Sequence, residues 1–115
     1  MRVYGFKENE KGIMKMENSL KAEQAFVEGY IEVVCLTEEI DLVCNEEGKY
    51  NGLKENVAWL DGKGNILDII FGNCFCCRHN KEGEFADIQE KDIETIETYL
   101  KKIIGIVGNT VVLEA

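Results

Sequence analysis

The stretch YIEVVCLTEEIDLVCN, residues 30–45, decides how the chain is read. Its two halves, YIEVVCL and IDLVCN, are rich in β-branched residues and carry apolar side chains at successive positions. A strand turns successive side chains to opposite faces, so runs of this kind suit strands that are covered, at least in part, on both sides. The intervening TEE is short and polar. The stretch predicts a β-hairpin in the middle of a sheet, with Cys35 and Cys44 on its strands.

Toward the N-terminus, MRVYGFK alternates and reads as a first strand, ENEKG as a turn and IMKM as a short second strand. The run NSLKAEQAFVEGY predicts a helix over residues 20–28. Asn18 or Ser19 is its cap, Leu20, Gln24 and Val27 lie near one face, and Gly29 occupies the left-handed position after its end. Toward the C-terminus, NEEGKYNGL carries a turn in which Gly48 suits a positive φ, followed by an irregular piece through Asn56. NVAWL and NILDIIFG flank DGKG, a hairpin signal, and GNCFCCRH continues as a further strand up to the turn NKEG.

The segment FADIQEKDIETIETYLKKII repeats apolar residues at Ile93, Ile96, Leu100, Ile103 and Ile104, which predicts a long C-terminal helix. Asp87 with Glu90 can form its capping box, unless the helix is entered two residues later, and Lys101 and Lys102 suit its negative end. The tail GIVGNTVVLEA reads as a last short strand or as a segment that pairs with another copy. Its Val-Val-Leu run predicts a cover, because left open it would be an unprotected edge. The sum is an α+β fold: a mostly antiparallel, twisted sheet of five to seven short strands packed by two helices, in a single domain over residues 1–115.

Composition narrows the function classes. With 22 Asp and Glu against 13 Lys and Arg the formal charge is −9, which disfavours docking on nucleic acid or anionic membrane through phosphate neutralisation. No apolar run approaches the ~18 residues that span a bilayer, and MRVYGFKENEKG turns polar too early for a signal peptide. The expected location is cytoplasmic. Five cysteines without framework spacing then read as reduced thiols.

GNCFCCRH, residues 72–79, holds three of those cysteines and the only histidine. As a metal knuckle, Cys74, Cys77 and His79 are the weak alternative: on a strand Cys74 and Cys77 point to opposite faces, and no second ligand pair is near in sequence. As a thiol site, Cys77 and His79 share a face while Arg78 lies on the other, and a nucleophile needs a base within reach in an electropositive setting. The favoured reading makes Cys74 and Cys76 alternate with Phe75 and Cys77 on a strand packed on both sides, cysteine serving as a small apolar filler, with His79 at the solvent end.

The turn NEEG offers an amide and two carboxylates. Asn45, Glu46, Glu47 and Asn56 are therefore the candidate residues for a polar ligand, although Asn56 reads equally as a loop residue bonding its own backbone. No D-x-D-x-D-G loop supports calcium and no G-x-G-x-x-G or Walker lysine cradles phosphate, so no cofactor and no metal are expected. Trp59, Tyr30 and Tyr50 are the aromatics able to stack a base, though aromatics in alternating runs are more often core.

The run GYIEVVCLTEEIDLVCNEEGKYNGLKEN, residues 29–56, resembles a small family catalogued as a domain of unknown function and found in phages, plasmids and conjugative elements. The matching positions are Gly29, Tyr30 to Val34, Cys44 to Lys49, Gly52 with Leu53, and Asn56. Asp68 to Gly72, Phe75 and Glu84 to Ile93 continue the likeness. It covers residues 1 to about 100, and its pattern does not include Cys74, Cys76, Cys77 or His79. The resemblance implies an accessory protein of a mobile element or phage, and it brings no chemistry with it. The expected function is a non-enzymatic module that binds a protein, interfering with a host-defence component. The alternatives are a protein that binds a small nucleotide-type signal, and a Cys/His thiol or metal-dependent enzyme. Expected partners are an unidentified protein or a small polar ligand, with a homo-oligomer as a further possibility.

Overall fold

The computed structural model describes all 115 residues, in the order β1 (Arg2–Phe6), β2 (Lys11–Lys15), α1 (Leu20–Val27), β3 (Ile31–Cys35), β4 (Ile40–Asn45), β5 (Glu55–Leu60), β6 (Ile66–Phe71), β7 (Cys74–His79), β8 (Phe85–Ala86), α2 (Asp92–Tyr99), β9 (Leu100–Val107) and β10 (Thr110–Leu113). The α+β class, the antiparallel pairing and the two helices agree with the sequence reading. The strands number ten and divide between two sheets.

One sheet has six strands in the order β2-β1-β7-β4-β3, with β8 pairing the end of β7. The hairpin expected within residues 30–45 is β3 and β4, in register from Ile31 opposite Asn45 to Cys35 opposite Asp41. β7 lies between β1 and β4, with Cys76 opposite both Tyr4 and Leu42. The second sheet has four strands in the order β10-β9-β5-β6.

The cores follow from this layering. On one face of the six-stranded sheet Tyr4, Phe6, Leu42, Cys44, Cys74 and Cys76 meet Val57, Ile70 and Leu100 of the second sheet and Ile96 of α2. On the other face Val3, Val43, Phe75 and Cys77 meet Val27 of α1, with Phe26 and Phe85 edge-on to Phe75. β7 is thus buried on both sides, as the alternation of its cysteines with Phe75 predicts. Gly72 (φ +82°) turns the chain from β6 in one sheet to β7 in the other, and a Cβ there would come within 2.6 Å of Leu53.

Three local expectations are corrected. The long C-terminal helix ends at Tyr99, because Leu100 is extended (φ −124°, ψ 118°) and pairs with Trp59 of β5. The spacing of Ile103 and Ile104 fits helix and strand alike. β-branched residues in a ladder resolve it as strand, leaving one half-buried and the other exposed. Asp87 and Glu90 do not cap α2 but hold β1: Asp87 Oδ1 accepts from the Arg2 amide at 2.9 Å, and Glu90 pairs with the Arg2 guanidinium at 3.0 Å. Ser19 does cap α1, its hydroxyl accepting from the Ala22 amide. The left-handed residue after α1, however, is Glu28 (φ +64°) rather than Gly29.

Neither Gly29 nor Gly48 has the positive φ expected of it, and both matter for space instead. A Cβ on Gly29 would lie 2.6 Å from Asn45 Nδ2, and one on Gly48 2.7 Å from the Phe71 carbonyl oxygen. Finally, β10 pairs only with β9, so its outer edge lacks the cover that its Val-Val-Leu run predicted.

Candidate functional site

β4 ends at Asn45, and the fate of that side chain organises everything after it. Its Nδ2 donates to the carbonyls of Val27 (3.0 Å) and Glu28 (3.2 Å), two of the groups left without partners at the end of α1. Its Oδ1 accepts from the Glu47 amide at 2.8 Å, which starts the turn. The Glu46 amide donates to the Tyr30 carbonyl, and the Asn51 and Leu53 amides close the loop onto Glu47 and Gly48. With Gly48 pressed on Phe71, the loop of residues 46–53 is fixed at both ends. Asn45 is fully engaged within the protein. Glu46 and Glu47 point outward and are exposed.

Between this loop and β6 lies an open cleft of about 470 Å³, lined by carboxylates of Glu32, Glu46, Glu47 and Asp68 and by the apolar side chains of Ile66 and Leu67. Tyr50 borders it and is 89% exposed. Cys44 lies on its floor, 3.9 Å from Glu32 Oε1. Burial first, and then the Glu32 and Asp68 charges, push the Cys44 thiol up to about 12, so it is a neutral thiol at physiological pH. Asp68 also accepts from the Ile69 amide at 2.8 Å.

Asn56 belongs to a second, smaller concavity of about 230 Å³. It is a buried residue of β5 at a break in register with β6, not a loop residue bonding its own backbone. Its Nδ2 donates to the carbonyls of Phe6 (3.0 Å) and Gly72 (2.9 Å), and its Oδ1 accepts from Lys102 Nζ. The same ammonium donates to the carbonyls of Lys7 and Glu8, so its three protons all have acceptors. Burial lowers the Lys102 pKa from its ordinary value. Asn56 is therefore a splint joining β1, the β6–β7 hinge and β9. The four candidates thus divide: Asn45, Glu46 and Glu47 line one concavity and Asn56 the other.

Cys74, Cys77 and His79 are not brought together. Cys74 faces the core between the sheets and Cys77 the core under α1. No group of three or more His, Cys, Asp and Glu side chains is placed to hold a metal ion. Burial, with Asp41 and Glu23 adding, raises the Cys77 thiol to about 12, and burial likewise raises Cys74 and Cys76. His79 does have a partner that sequence reasoning missed: its Nδ1 lies 3.1 Å from Asp41 Oδ2. Asp41 stands opposite Cys77 across the β4–β7 ladder, a neighbour visible only once that pairing is known. Arg78, on the other face, forms two 2.6 Å bonds to Asp92 and a 2.7 Å contact with Glu39. Of the aromatics, Tyr30 and Tyr50 are exposed and Trp59 packs against the inter-sheet core.

These arrangements define an α+β domain of two sheets whose buried amides and thiols are engaged in holding the fold, and whose free carboxylates and apolar side chains meet at the rim of one cleft. The chain belongs to the family described as "Domain of unknown function (DUF3846)", whose model matches residues 1–103. No curated protein and no solved structure matches it. No helix is long and apolar enough to cross a membrane.

Proposed function

We propose that the protein is a binding module without catalytic chemistry of its own, and that the cleft between residues 46–50 and β6 receives a protein segment bearing basic and apolar side chains. One observation carries this reading: four carboxylates from three separate segments converge on a cleft whose wall also presents Ile66, Leu67 and Tyr50 to solvent. Exposed apolar side chains rimmed by charge mostly of one sign, here four carboxylates against the single ammonium of Lys49, are the usual form of a surface awaiting a partner of opposite sign. Support also comes from the thiols, four of which are buried, with pKa values raised. An accessory role in a mobile element, with the partner a host protein, accords with this reading and with the net charge of −9.

Selection of random peptides displayed against the purified protein tests the reading. Enrichment of Lys or Arg beside Leu or Phe, weakened by salt and by Glu47→Lys or Leu67→Ser, is the expected outcome. Peptides whose binding ignores both substitutions would sink it. A thermal-shift screen supplies the contrast: stabilisation by a nucleotide that those substitutions abolish would move the cleft to a small polar ligand.

A further inference from the structure

β9 leaves the body of the protein partway along its length. Leu100, Lys101 and Lys102 pair with Trp59, Ala58 and Val57, but from Ile103 onward the only ladder is with β10. Residues 103–113 therefore form a two-stranded ribbon at the edge of the second sheet. Glu114 roots the ribbon, accepting from Lys11 Nζ at 2.6 Å and from the Lys102 amide at 3.0 Å. The family match ends at residue 103, where the ribbon departs.

The composition of the ribbon is unlike the rest of the chain. IIGIVGNTVVL is eleven residues without one Asp, Glu, Lys, Arg or His, in a protein of formal charge −9. Ile104 is 67% and Val107 71% exposed. A two-stranded ribbon is marginal in water without further cover, and the outer side of β10 presents unpaired backbone groups to any strand that can approach. On the other side of the ribbon, the root of β9 at Ile103 and Ile104 borders Glu8, Glu10 and Lys54, so charged side chains flank that edge where it leaves the sheet.

We propose that β10 pairs with β10 of a second copy of this chain, antiparallel about a two-fold axis, so that the two four-stranded sheets join into one. The charge distribution selects this occupant. Two chains of charge −9 repel wherever carboxylates face each other, and the ribbon is the longest stretch where self-association brings no charged pair together. The other free edges carry Lys11 and Lys15 on β2, Glu32 on β3 and Asp68 on β6. Asp68 moreover occupies the Ile69 amide. A two-fold contact uses the same patch on both copies and closes, which limits the assembly to a dimer. Because β6 and β10 are opposite edges of one sheet, both clefts stay free in the pair.

Sedimentation equilibrium of the full chain, over roughly 1 to 300 µM, tests this, with Thr110→Glu and Val107→Glu as disruptive variants and Thr110→Val as the conservative one. The expected mass is twice 13.0 kDa, with dissociation shifted at least ~10-fold by either glutamate and little by valine, all variants keeping the wild-type circular dichroism. Amide exchange of the unmodified protein gives a second readout: protection of the Val111 amide, which lies on the outer edge of β10, rises with protein concentration. A monomeric mass at the highest concentration overturns the proposal. So does a dimer that both glutamate variants leave unchanged, growth beyond the dimer, or β10 protection independent of concentration.

Discussion

The two sheets draw on similar residues and end in opposite conditions. Every residue of β4 is buried, and so are the first four of β7, whereas the first three residues of β6 are exposed. The difference is cover, not composition. The six-stranded sheet has α1 on one side and the second sheet with α2 on the other, so its inner strands are enclosed, while the second sheet meets a buried cluster only on the face it turns to the first. Polar groups on the enclosed strands, Asn45 at the end of β4 and Asn56 on β5, are therefore committed to the fold, and side chains on the edge strands β3 and β6 remain available to a partner.

The sharpest way to break that contrast is chemical. Cys35 on the edge strand β3 is exposed, and the other four thiols are buried. With Cys74, Cys76 and Cys77 protonated and reachable only through unfolding, alkylation of native protein should modify Cys35 roughly 10³-fold faster than any of the three. Mass mapping over a time course reads the ratio. Comparable rates at Cys77 and Cys35 would mean that the core under α1 opens readily.

Next in size is the ion pair between β7 and α2. The paired Arg78 bonds, with the Gln89 amide adding, hold the Asp92 carboxyl below the ordinary aspartate value of 3.8, although burial opposes them. A carboxyl whose folded value is depressed contributes stability that is fully present above the unfolded value and is lost as pH falls through the folded one. Asp92→Asn should cost about 3 kcal/mol near neutral pH, because it leaves Arg78 half-buried with Glu39 alone. Urea midpoints between neutral pH and pH 2 check the sign: the variant loses less stability on acidification than the parent.

Asn45→Ala comes third. It strips partners from the Val27 and Glu28 carbonyls and from the Glu47 amide, at about 2 kcal/mol. If denaturant melts show no loss, the loop beside the cleft is held by Gly48 and Phe71 alone.

What the sequence made legible follows the same division. β3, β4 and β7 could be read because burial on both faces leaves an uninterrupted apolar signature, and Cys74 to Cys77 could be taken as filler for that reason. The end of α2 could not, since Ile96, Leu100, Ile103 and Ile104 satisfy a helical period while the outcome rests on Trp59, some forty residues away, offering a ladder to Leu100. Among the candidate residues, type alone does not separate a ligand-binding amide from a structural one. Asn45 and Asn56 looked like ligands, but an amide that both donates and accepts is also the natural splint for stray carbonyls at a helix end or a bulge. Nothing in one dimension reveals which carbonyls are stray. Glu46 and Glu47, called from the same turn, do line the cleft. Leu67 and Asp68 across from them were invisible, because NILDIIFG reads as a hairpin strand without showing that β6 is the edge of its sheet.

Leu67→Ser is the smallest perturbation of the fold and the most informative about the cleft. Leu67 is 61% exposed on an edge strand and borders no buried cluster, so folding should change by no more than ~0.5 kcal/mol. Leu42→Ala, a substitution of the same residue type in the covered sheet, should cost about 3 kcal/mol because Leu42 is fully buried. If the cleft receives an apolar side chain from its partner, the serine variant loses about tenfold in affinity, or ~1.4 kcal/mol, while melting like the parent. Titrating a selected peptide against both proteins, beside their denaturation curves, separates the two effects. An unchanged affinity would leave only the carboxylates to hold the partner, and binding would then have to vanish in high salt.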